Sequence, residues 1–199
     1  MKILLTAFDP FGGESVNPAA EAIARVREPE KAELSRAVIP TEYVGSEEKI
    51  CRLITDLEPD MVISLGQAGG RCRITPERIA VNIDDAQQPD NAGEIRRGSR
   101  IREDGPAAYF STLPNEKICA ALNEEGIGSS VSNSAGTFVC NHLMYTVLSM
   151  AGEGMKAGFI HVPYIPEQLE GKPEGTPSME LETIVRGIEV ALRVIAETE

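Results

Sequence analysis

The amino-acid sequence predicts an α/β fold, a single-domain α/β/α sandwich with a mainly parallel, twisted central sheet. Short apolar runs of strand length alternate along the chain with amphipathic helical patterns, and this order favours parallel strands joined by helices. The runs are apolar almost throughout, as a sheet covered on both faces requires. Because no linker divides the 199 residues into two cores, we expect one domain over residues 1–199.

The predicted strands are short apolar runs bounded by turn-forming or polar residues. The first, KILLTAF, is followed by Asp9 and Pro10, and the last, AGFIHV, is followed by Pro163. In chain order the predicted strands span 2–8, 35–40, 60–66, 78–83, 127–132 and 157–162.

The predicted helices have apolar residues spaced three or four apart. In chain order they span 17–28, 45–57, 115–125, 140–151 and 177–197. The last has the clearest pattern, because apolar residues from Leu181 to Ile195 line one face. Thr176 is predicted to cap this helix, with Pro177 at its first position. The preceding stretch 166–177 reads as an exposed loop that could border a cleft.

The charge balance argues against two classes of partner. The chain has 19 Lys and Arg residues and 31 Asp and Glu residues, a formal net charge of −12. Such a surface repels phosphate backbones and anionic lipid head groups, so neither nucleic acid nor a membrane is an expected partner. A local arginine cluster lacks interleaved aromatic residues and is interpreted as a solvated loop. It consists of Arg96, Arg97, Arg100 and Arg102.

The cysteine spacing predicts neither a metal site nor a disulfide framework. The four cysteines, at positions 51, 72, 119 and 140, form no Cys-x-x-Cys pair. The opening MKILLTAFDP is too short for a signal peptide, and no apolar run reaches membrane-spanning length. We therefore expect reduced thiols and a cytoplasmic location.

Cys140 is the candidate nucleophile. It lies where SNSAGTFVCNHLMYTVLSM, residues 132–150, changes from small polar residues to a helical pattern. The unpaired amides at a helix start carry partial positive charge, which is expected to stabilise a thiolate and could also hold an oxyanion. Cys51 and Cys119 fall within amphipathic helical patterns and are interpreted as small buried hydrophobes, and Cys72 has no histidine near it in the sequence.

A cysteine peptidase also needs a group that protonates the leaving amine, usually a histidine. The chain has two histidines. His142 follows Cys140 by two residues, about 200° around a helix, so its ring is predicted to point away from the thiol. His161 ends a predicted strand, and open α/β sheets place their sites beyond the carboxyl ends of parallel strands. By elimination His161 is the predicted partner, although a strand histidine is more often a satisfied core residue.

The carboxylate that would orient the histidine is not decided by spacing. The stretch ITPERIAVNIDDA presents Glu77, Asp84 and Asp85 around a strand, and each is a candidate. Nearby, the loop GQAGGR, residues 66–71, lacks the Gly-Lys-Ser/Thr ending of a phosphate loop. Its glycines are expected to let backbone groups approach a ligand.

Five blocks of sequence carry a resemblance to a known family. They are FDPFGG (8–13), GQAGGRCRITPERIAVN (66–82), EDGPAAYFSTLP (103–114), SNSAGTFVCN (132–141) and FIHVPY (159–164). Over nearly its whole length the chain resembles pyroglutamyl peptidase type I, also called pyrrolidone-carboxylate peptidase. The resemblance implies a cysteine peptidase that removes an N-terminal 5-oxoproline (pyroglutamyl) residue from peptides. It also implies that no metal or organic cofactor is needed and that the chain assembles as a homotetramer.

The resemblance also implies the roles of individual residues. Cys140 is the implied nucleophile, His161 the general base and then acid, and Glu77 the carboxylate that orients His161. The implied substrate pocket is formed by Phe8, Phe11, Thr41, Gln67, Phe138 and Val139. A lactam ring is flat and uncharged, with one N–H and one C=O, so aromatic walls with a few polar groups suit it. A free ammonium would be costly to desolvate in such a pocket.

Gln87 is a departure that bears on the chemistry. Where the family usually reads Asp-Ala-Arg-x-Pro-Asp-Asn, this chain reads DAQQPDN, with Gln87 in place of an arginine thought to help hold the oxyanion. Glutamine can donate hydrogen bonds but brings no charge, so reduced turnover is expected. Two alternatives stay open: a cysteine amidohydrolase with the same triad acting on another amide, and a non-catalytic binder of pyroglutamyl peptides.

Overall fold

The computed structural model describes residues 1–152 and 154–198. A five-stranded sheet forms its centre. Four strands pair in parallel: β1 (Lys2–Phe8), β2 (Glu33–Ile39), β3 (Met61–Gln67) and, near the C-terminus, β7 (Lys156–Val162). The short β4 (Thr75–Pro76) pairs antiparallel with the end of β7, and the strand order is β2-β1-β3-β7-β4. The predicted mainly parallel sheet is confirmed.

Helices cover both faces of this sheet, so the α/β/α layering is also confirmed. Within the described residues the α-helices are α1 (Pro18–Arg25), α2 (Tyr43–Leu57), α3 (Asn115–Glu124), α4 (Val139–Met150) and α5 (Leu181–Thr198). One apolar cluster joins α1, α3 and α5 to the sheet, and a second joins α2 and α4 to it. Successive strand residues supply the two clusters in turn: Ile3 and Leu5 belong to the first, Leu4 and Phe8 to the second.

Two predicted strands differ from the structure. The run at 78–83 is shortened to β5 (Ile79–Val81), which pairs with β6 (Ala108–Phe110) in a separate antiparallel two-stranded sheet. The segment predicted as a strand at 127–132 extends beside residues 74–78, but it makes two isolated parallel bridges, Ile74 with Ser129 and Glu77 with Ser132, and no continuous strand. The Ser130 amide donates to the Ile74 carbonyl at 3.3 Å and the Ser132 amide to the Pro76 carbonyl at 2.9 Å.

The last helix begins later than predicted. Residues before Leu181 extend alongside the chain that follows β7, because the Met179 amide donates to the Tyr164 carbonyl at 2.8 Å. Thr176 is therefore not its cap, and its hydroxyl bonds the Pro173 carbonyl. Among the described residues, every helix is too short or too polar to cross a lipid bilayer.

Candidate active site

Strand β7 brings His161 to the sheet face that α4 covers. Phe159 and His161 are two residues apart on one strand and so point to the same side, and Phe159 belongs to the cluster formed with α2 and α4. Gly66 lies opposite His161 on the neighbouring strand β3. A Cβ built on Gly66 would lie 3.2 Å from Sγ of Cys140. The candidate nucleophile therefore lies over the strand pair that carries His161.

His161 is hydrogen-bonded to Glu77. The distance from Nδ1 to Oε1 is 2.7 Å, and the Glu77 side chain is fully buried while that of His161 is 5% exposed. Since Oε1 of an ionised carboxylate only accepts, Nδ1 carries the proton and Nε2 is left as the nitrogen that can exchange a proton with a thiol. The structure thus brings Glu77 and His161 together as the resemblance implied.

The environment of this pair favours a charged glutamate and a neutral histidine. Burial alone would raise the pKa of Glu77, but the hydrogen bond from His161, with further hydrogen bonds from Ser132 and Arg71, lowers it below its ordinary value. Burial lowers the pKa of His161, and the hydrogen bond to Glu77 offsets this only in part. A neutral imidazole is the form in which a histidine can act as a general base.

Cys140 is half-buried in the first turn of α4. No side chain caps this helix, and within the described ranges the amides of Val139 and Asn141 have no hydrogen-bond acceptor, while the Cys140 amide interacts with its own sulfur. Burial raises the pKa of the Cys140 thiol to about 12, and the negative charge of Glu77 adds to the rise. The backbone amide of Cys140 and the charge of Arg71 lower the pKa, the former as expected for a helix start, but burial outweighs both.

Hydrogen bonds fix the start of α4 against the chain between β5 and the following loop. The Asn141 side chain accepts from the Val81 amide and donates to the carbonyls of Val81 and Ile83, at 2.9 to 3.1 Å. The Asp85 amide donates to the Thr137 carbonyl at 2.9 Å, and the Thr137 hydroxyl donates back to the Asp85 carbonyl at 2.6 Å. The position of Cys140 is therefore held from both sides.

His142 lies in a different environment, which confirms that it points away from the Cys140 thiol. Its Nδ1 is 2.9 Å from Asp84 Oδ2 and its Nε2 is 3.1 Å from Glu47 Oε2. Its ring also contacts Tyr43 edge to face, with centroids 5.5 Å apart. Asp84 is thus committed to His142, so of the three candidate carboxylates only Glu77 bonds His161 among the described residues.

The aromatic members of the predicted pocket include one facing pair. The rings of Phe11 and Phe138 have centroids 6.2 Å apart at an interplanar angle of 42°, and both residues keep part of their surface exposed. Phe138 also contacts Tyr43 edge to face at 5.7 Å, which fixes its ring. These two phenylalanines are next to the start of α4 and can form the walls of a narrow slot.

The other predicted pocket residues are more enclosed. Phe8 is 2% exposed, and Val139 is fully buried. The Thr41 hydroxyl and amide both donate to Oδ1 of Asp9, at 2.7 Å. The Gln67 Oε1 accepts a hydrogen bond from Nε2 of Gln168 at 2.7 Å, and this bond fixes the orientation of the Gln67 side-chain amide.

Gln87 is exposed in the loop that follows β5. In the parts of the chain that the structure describes, its side chain makes no hydrogen bond to the site. A contribution of Gln87 to holding the oxyanion stays a prediction.

Known proteins similar to this chain share its length and fold. The sequence family described as pyroglutamyl peptidase matches residues 1–198. The chain belongs to the pyroglutamyl peptidase family. The pyrrolidone-carboxylate peptidase of Thermoanaerobacter sp. (strain X514) is 50% identical over 201 residues, covering 99% of this chain and 98% of that protein. Members of the family are cysteine-type hydrolases, so this chain is classed as an enzyme.

Solved structures of the family superpose closely on this fold. The pyroglutamyl peptidase I of Bacillus amyloliquefaciens is 42% identical with a TM-score of 0.94, covering 98% of this chain and 94% of that one. A mutant pyrrolidone carboxyl peptidase from the hyperthermophile Pyrococcus furiosus is 40% identical with a TM-score of 0.95, covering 100% and 99%. The α/β architecture of this pyroglutamyl peptidase family member is therefore the family's own.

Sequence reasoning missed three residues that shape this site. Asn141 anchors the nucleophile's helix, Gln168 orients Gln67, and Arg71 bonds Glu77. Asn141 has a visible signal, since it is a polar residue in the first turn of a mostly apolar helical run. The other two come from loops whose paths the sequence pattern does not indicate.

Proposed function

We propose that this chain is a cysteine peptidase that hydrolyses the amide bond after an N-terminal pyroglutamyl residue. The observation that carries the proposal is the buried hydrogen bond between Glu77 and His161. His161 is paired with Gly66 on the neighbouring strand, and Sγ of Cys140 lies over Gly66. Membership of the pyroglutamyl peptidase family supports the substrate class.

Acylation begins with attack of the Cys140 sulfur on the carbonyl carbon of the pyroglutamyl residue. Because burial raises the pKa of the Cys140 thiol to about 12, the thiol carries its proton at neutral pH, and His161 Nε2 accepts that proton as the carbon–sulfur bond forms. Glu77 stabilises the imidazolium that results. The uncapped amides at the start of α4 are the donors available to the developing oxyanion.

Collapse of the tetrahedral intermediate breaks the carbon–nitrogen bond. His161 gives its proton to the departing amine, which leaves a thioester on Cys140. His161 then takes a proton from water as the water attacks the thioester, and the thiolate leaves and regains that proton. The enzyme returns to its starting state, with free pyroglutamate as the second product.

The proposed pocket selects a flat, neutral ring. The Phe11 and Phe138 rings supply apolar walls, and the fixed Gln67 amide supplies hydrogen-bonding capacity at the end of β3. A prolyl or glutaminyl substrate brings a charged amine into this slot, and an unpaired ammonium costs several kcal/mol to desolvate.

Assembly and location are further parts of the proposal. A homotetramer in the cytoplasm is what the family resemblance and the free thiols favour. Val44 and Phe110, which are 52% and 67% exposed, are apolar side chains available for contacts between copies. Light scattering on the purified chain measures the assembly directly, and a monomer at micromolar concentration would refute the tetramer.

The function is tested with fluorogenic amides of pyroglutamate, proline and glutamine. We expect the wild type to cleave the pyroglutamyl amide best, and Cys140→Ser to lose at least about 1000-fold in kcat. Preference for the glutaminyl amide would favour the other amidohydrolase. Tight calorimetric binding of a pyroglutamyl peptide that stays intact would favour the non-catalytic binder.

A further inference from the structure

Arg71 reaches three segments around the candidate nucleophile. It is the last residue of the glycine-rich loop that follows β3. Its Nη1 donates to the Thr75 hydroxyl at 2.5 Å and to Glu77 Oε1 at 2.6 Å, and its Nη2 donates to the Ser134 carbonyl at 3.2 Å. The guanidinium therefore joins the glycine-rich loop, the β4 region and the segment that leads into α4.

Arg71 and His161 bond the same carboxylate oxygen. Glu77 Oε1 lies 2.6 Å from Arg71 Nη1 and 2.7 Å from His161 Nδ1. Two charge-assisted or polarised donors converging on one oxygen restrict both the position and the rotation of the carboxylate. The Glu77 side chain is fully buried and that of Arg71 is 30% exposed. The partly exposed guanidinium of Arg71 therefore balances the negative charge of the buried Glu77 carboxylate.

The charge of Arg71 also acts on the other two members of the site. Its positive charge opposes the rise in the pKa of Cys140, and it adds to the lowering of the pKa of His161. Without it, the full negative charge of Glu77 would act on the imidazole and favour a second proton there. A histidine with two protons cannot accept the thiol proton.

We propose that Arg71 is a positioning residue of this site, which fixes Glu77 Oε1 against His161 Nδ1 and balances the buried carboxylate charge. Its bond to Ser134 holds the glycine-rich loop against the segment before Cys140. The inference rests on the proposed function for its catalytic consequence, but its effect on His161 can be measured without any substrate.

Nuclear magnetic resonance titration of the histidine rings tests this directly. The chain has two histidines, so each sample contains the site histidine and an internal reference, His142. In Arg71→Met we expect the titration midpoint of His161 to rise by about one pH unit or more, while that of His142 stays in place. Arg73→Met is the matched control, since Arg73 is an exposed arginine two residues further along the chain and has no ion pair among the described residues.

Kinetics give the second readout. In Arg71→Met we expect kcat for the pyroglutamyl amide to fall at least about tenfold with KM little changed, and the acidic limb of the kcat/KM profile to move to higher pH. Arg71→Lys keeps the positive charge but loses the planar set of donors that bonds Thr75, Glu77 and Ser134 together. It should therefore lower kcat without moving the acidic limb of the kcat/KM profile.

The outcomes separate this inference from the proposed function. An unchanged His161 midpoint in folded Arg71→Met overturns the positioning role, whatever the activity. If the His161 midpoint rises in Arg71→Met but the wild type has no peptidase activity, the positioning role of Arg71 is supported and the proposed peptidase function is refuted. Should Arg71→Met fail to fold, wild-type kcat in Arg71→Lys at all pH values would overturn the inference.

Discussion

Gly66 and His161 occupy paired positions on neighbouring parallel strands, and the missing side chain at Gly66 leaves the space that Sγ of Cys140 fills. A Cβ at this position would lie 2.8 Å from the Phe159 ring and 3.2 Å from the sulfur. The Phe159 ring is buried in the layer between the sheet and α4, and the half-buried Cys140 packs against the same layer, so neither group has much room to move away.

Gly66→Ala should therefore displace the nucleophile. We expect kcat/KM for the pyroglutamyl amide to fall about 100-fold, because small misplacements of reacting atoms have effects of this size, and the free energy of unfolding to fall by about 1–3 kcal/mol. Steady-state kinetics and urea unfolding measure the two effects.

The matched control for that change is Gly128→Ala. A Cβ at Gly128 would make an ordinary contact with Arg73 at 3.6 Å, and the backbone there is not left-handed. Equal losses of activity in the two variants would contradict a specific role for the space at Gly66.

The raised pKa of Cys140 predicts slow alkylation of the unliganded protein near neutral pH. Because only the thiolate reacts, the rate of iodoacetamide labelling at Cys140 should keep rising above pH 9, since the pKa of its thiol is about 12. Peptide mass spectrometry separates this label from that on the exposed Cys72. A labelling rate at Cys140 that reaches its plateau near pH 7 would show a preformed thiolate instead.

His142 is predicted to stabilise the fold more at low pH than at high pH. Burial by itself lowers its pKa, but the hydrogen bonds to Asp84 and Glu47 outweigh this and raise the pKa above its ordinary value of 6.5. A group with a raised folded-state pKa contributes fully below the unfolded pKa, and its contribution is lost as the pH rises through the folded pKa. The stabilisation is therefore present at pH 6 and declines on the alkaline side.

The test of His142 is denaturant unfolding of wild type and His142→Gln at pH 6 and pH 9. We expect a loss on the order of 3 kcal/mol at pH 6, typical of a broken buried ion pair, and a smaller loss at pH 9. A loss that is larger at pH 9 would mean that His142 is neutral in the folded protein.

Gln87→Arg is predicted to raise turnover, because an arginine side chain at this position would place a positive charge near the oxyanion. We expect kcat to rise several-fold with little change in KM, because a positive charge near the oxyanion acts mainly in the transition state. Gln88→Arg is the control, since Gln88 is the adjacent exposed glutamine and adds the same charge. The same effect from both variants would mean that only net charge matters.

The strong periodic patterns made the helices and the parallel strands predictable. Runs such as KILLTAF are buried at almost every position, and all five helical patterns correspond to helices. The predicted strand at 127–132 is realised only as two isolated bridges, because its backbone pairs with the short segment 74–78 and not with a long strand of the sheet. Pairing partners of this kind are set by tertiary contacts, which a local pattern does not contain.

The candidate site was predictable in part. The helix start at Cys140 and the strand end at His161 follow from the pattern, but the choice of Glu77 came only from the family resemblance. Arg71 reaches Glu77 from a loop in which Gly70 adopts a left-handed φ of 84°. The pKa of the Cys140 thiol depends on burial and on the charges of Glu77 and Arg71 as well as on the backbone amide, and the sequence pattern indicates only the last of these.

The most direct test of the proposed site uses an alkylating analogue, a chloromethyl ketone of 5-oxoproline, with the prolyl chloromethyl ketone as its matched reagent. Mass spectrometry then locates the adduct among the four free cysteines, of which Cys72 is exposed and Cys140 is half-buried. We predict rapid labelling of Cys140 by the 5-oxoprolyl reagent, at least about tenfold faster than by the prolyl reagent, and little label on Cys72. Labelling mainly at Cys72, or equal rates with the two reagents, would contradict the assignment of Cys140 to a pyroglutamyl-binding site.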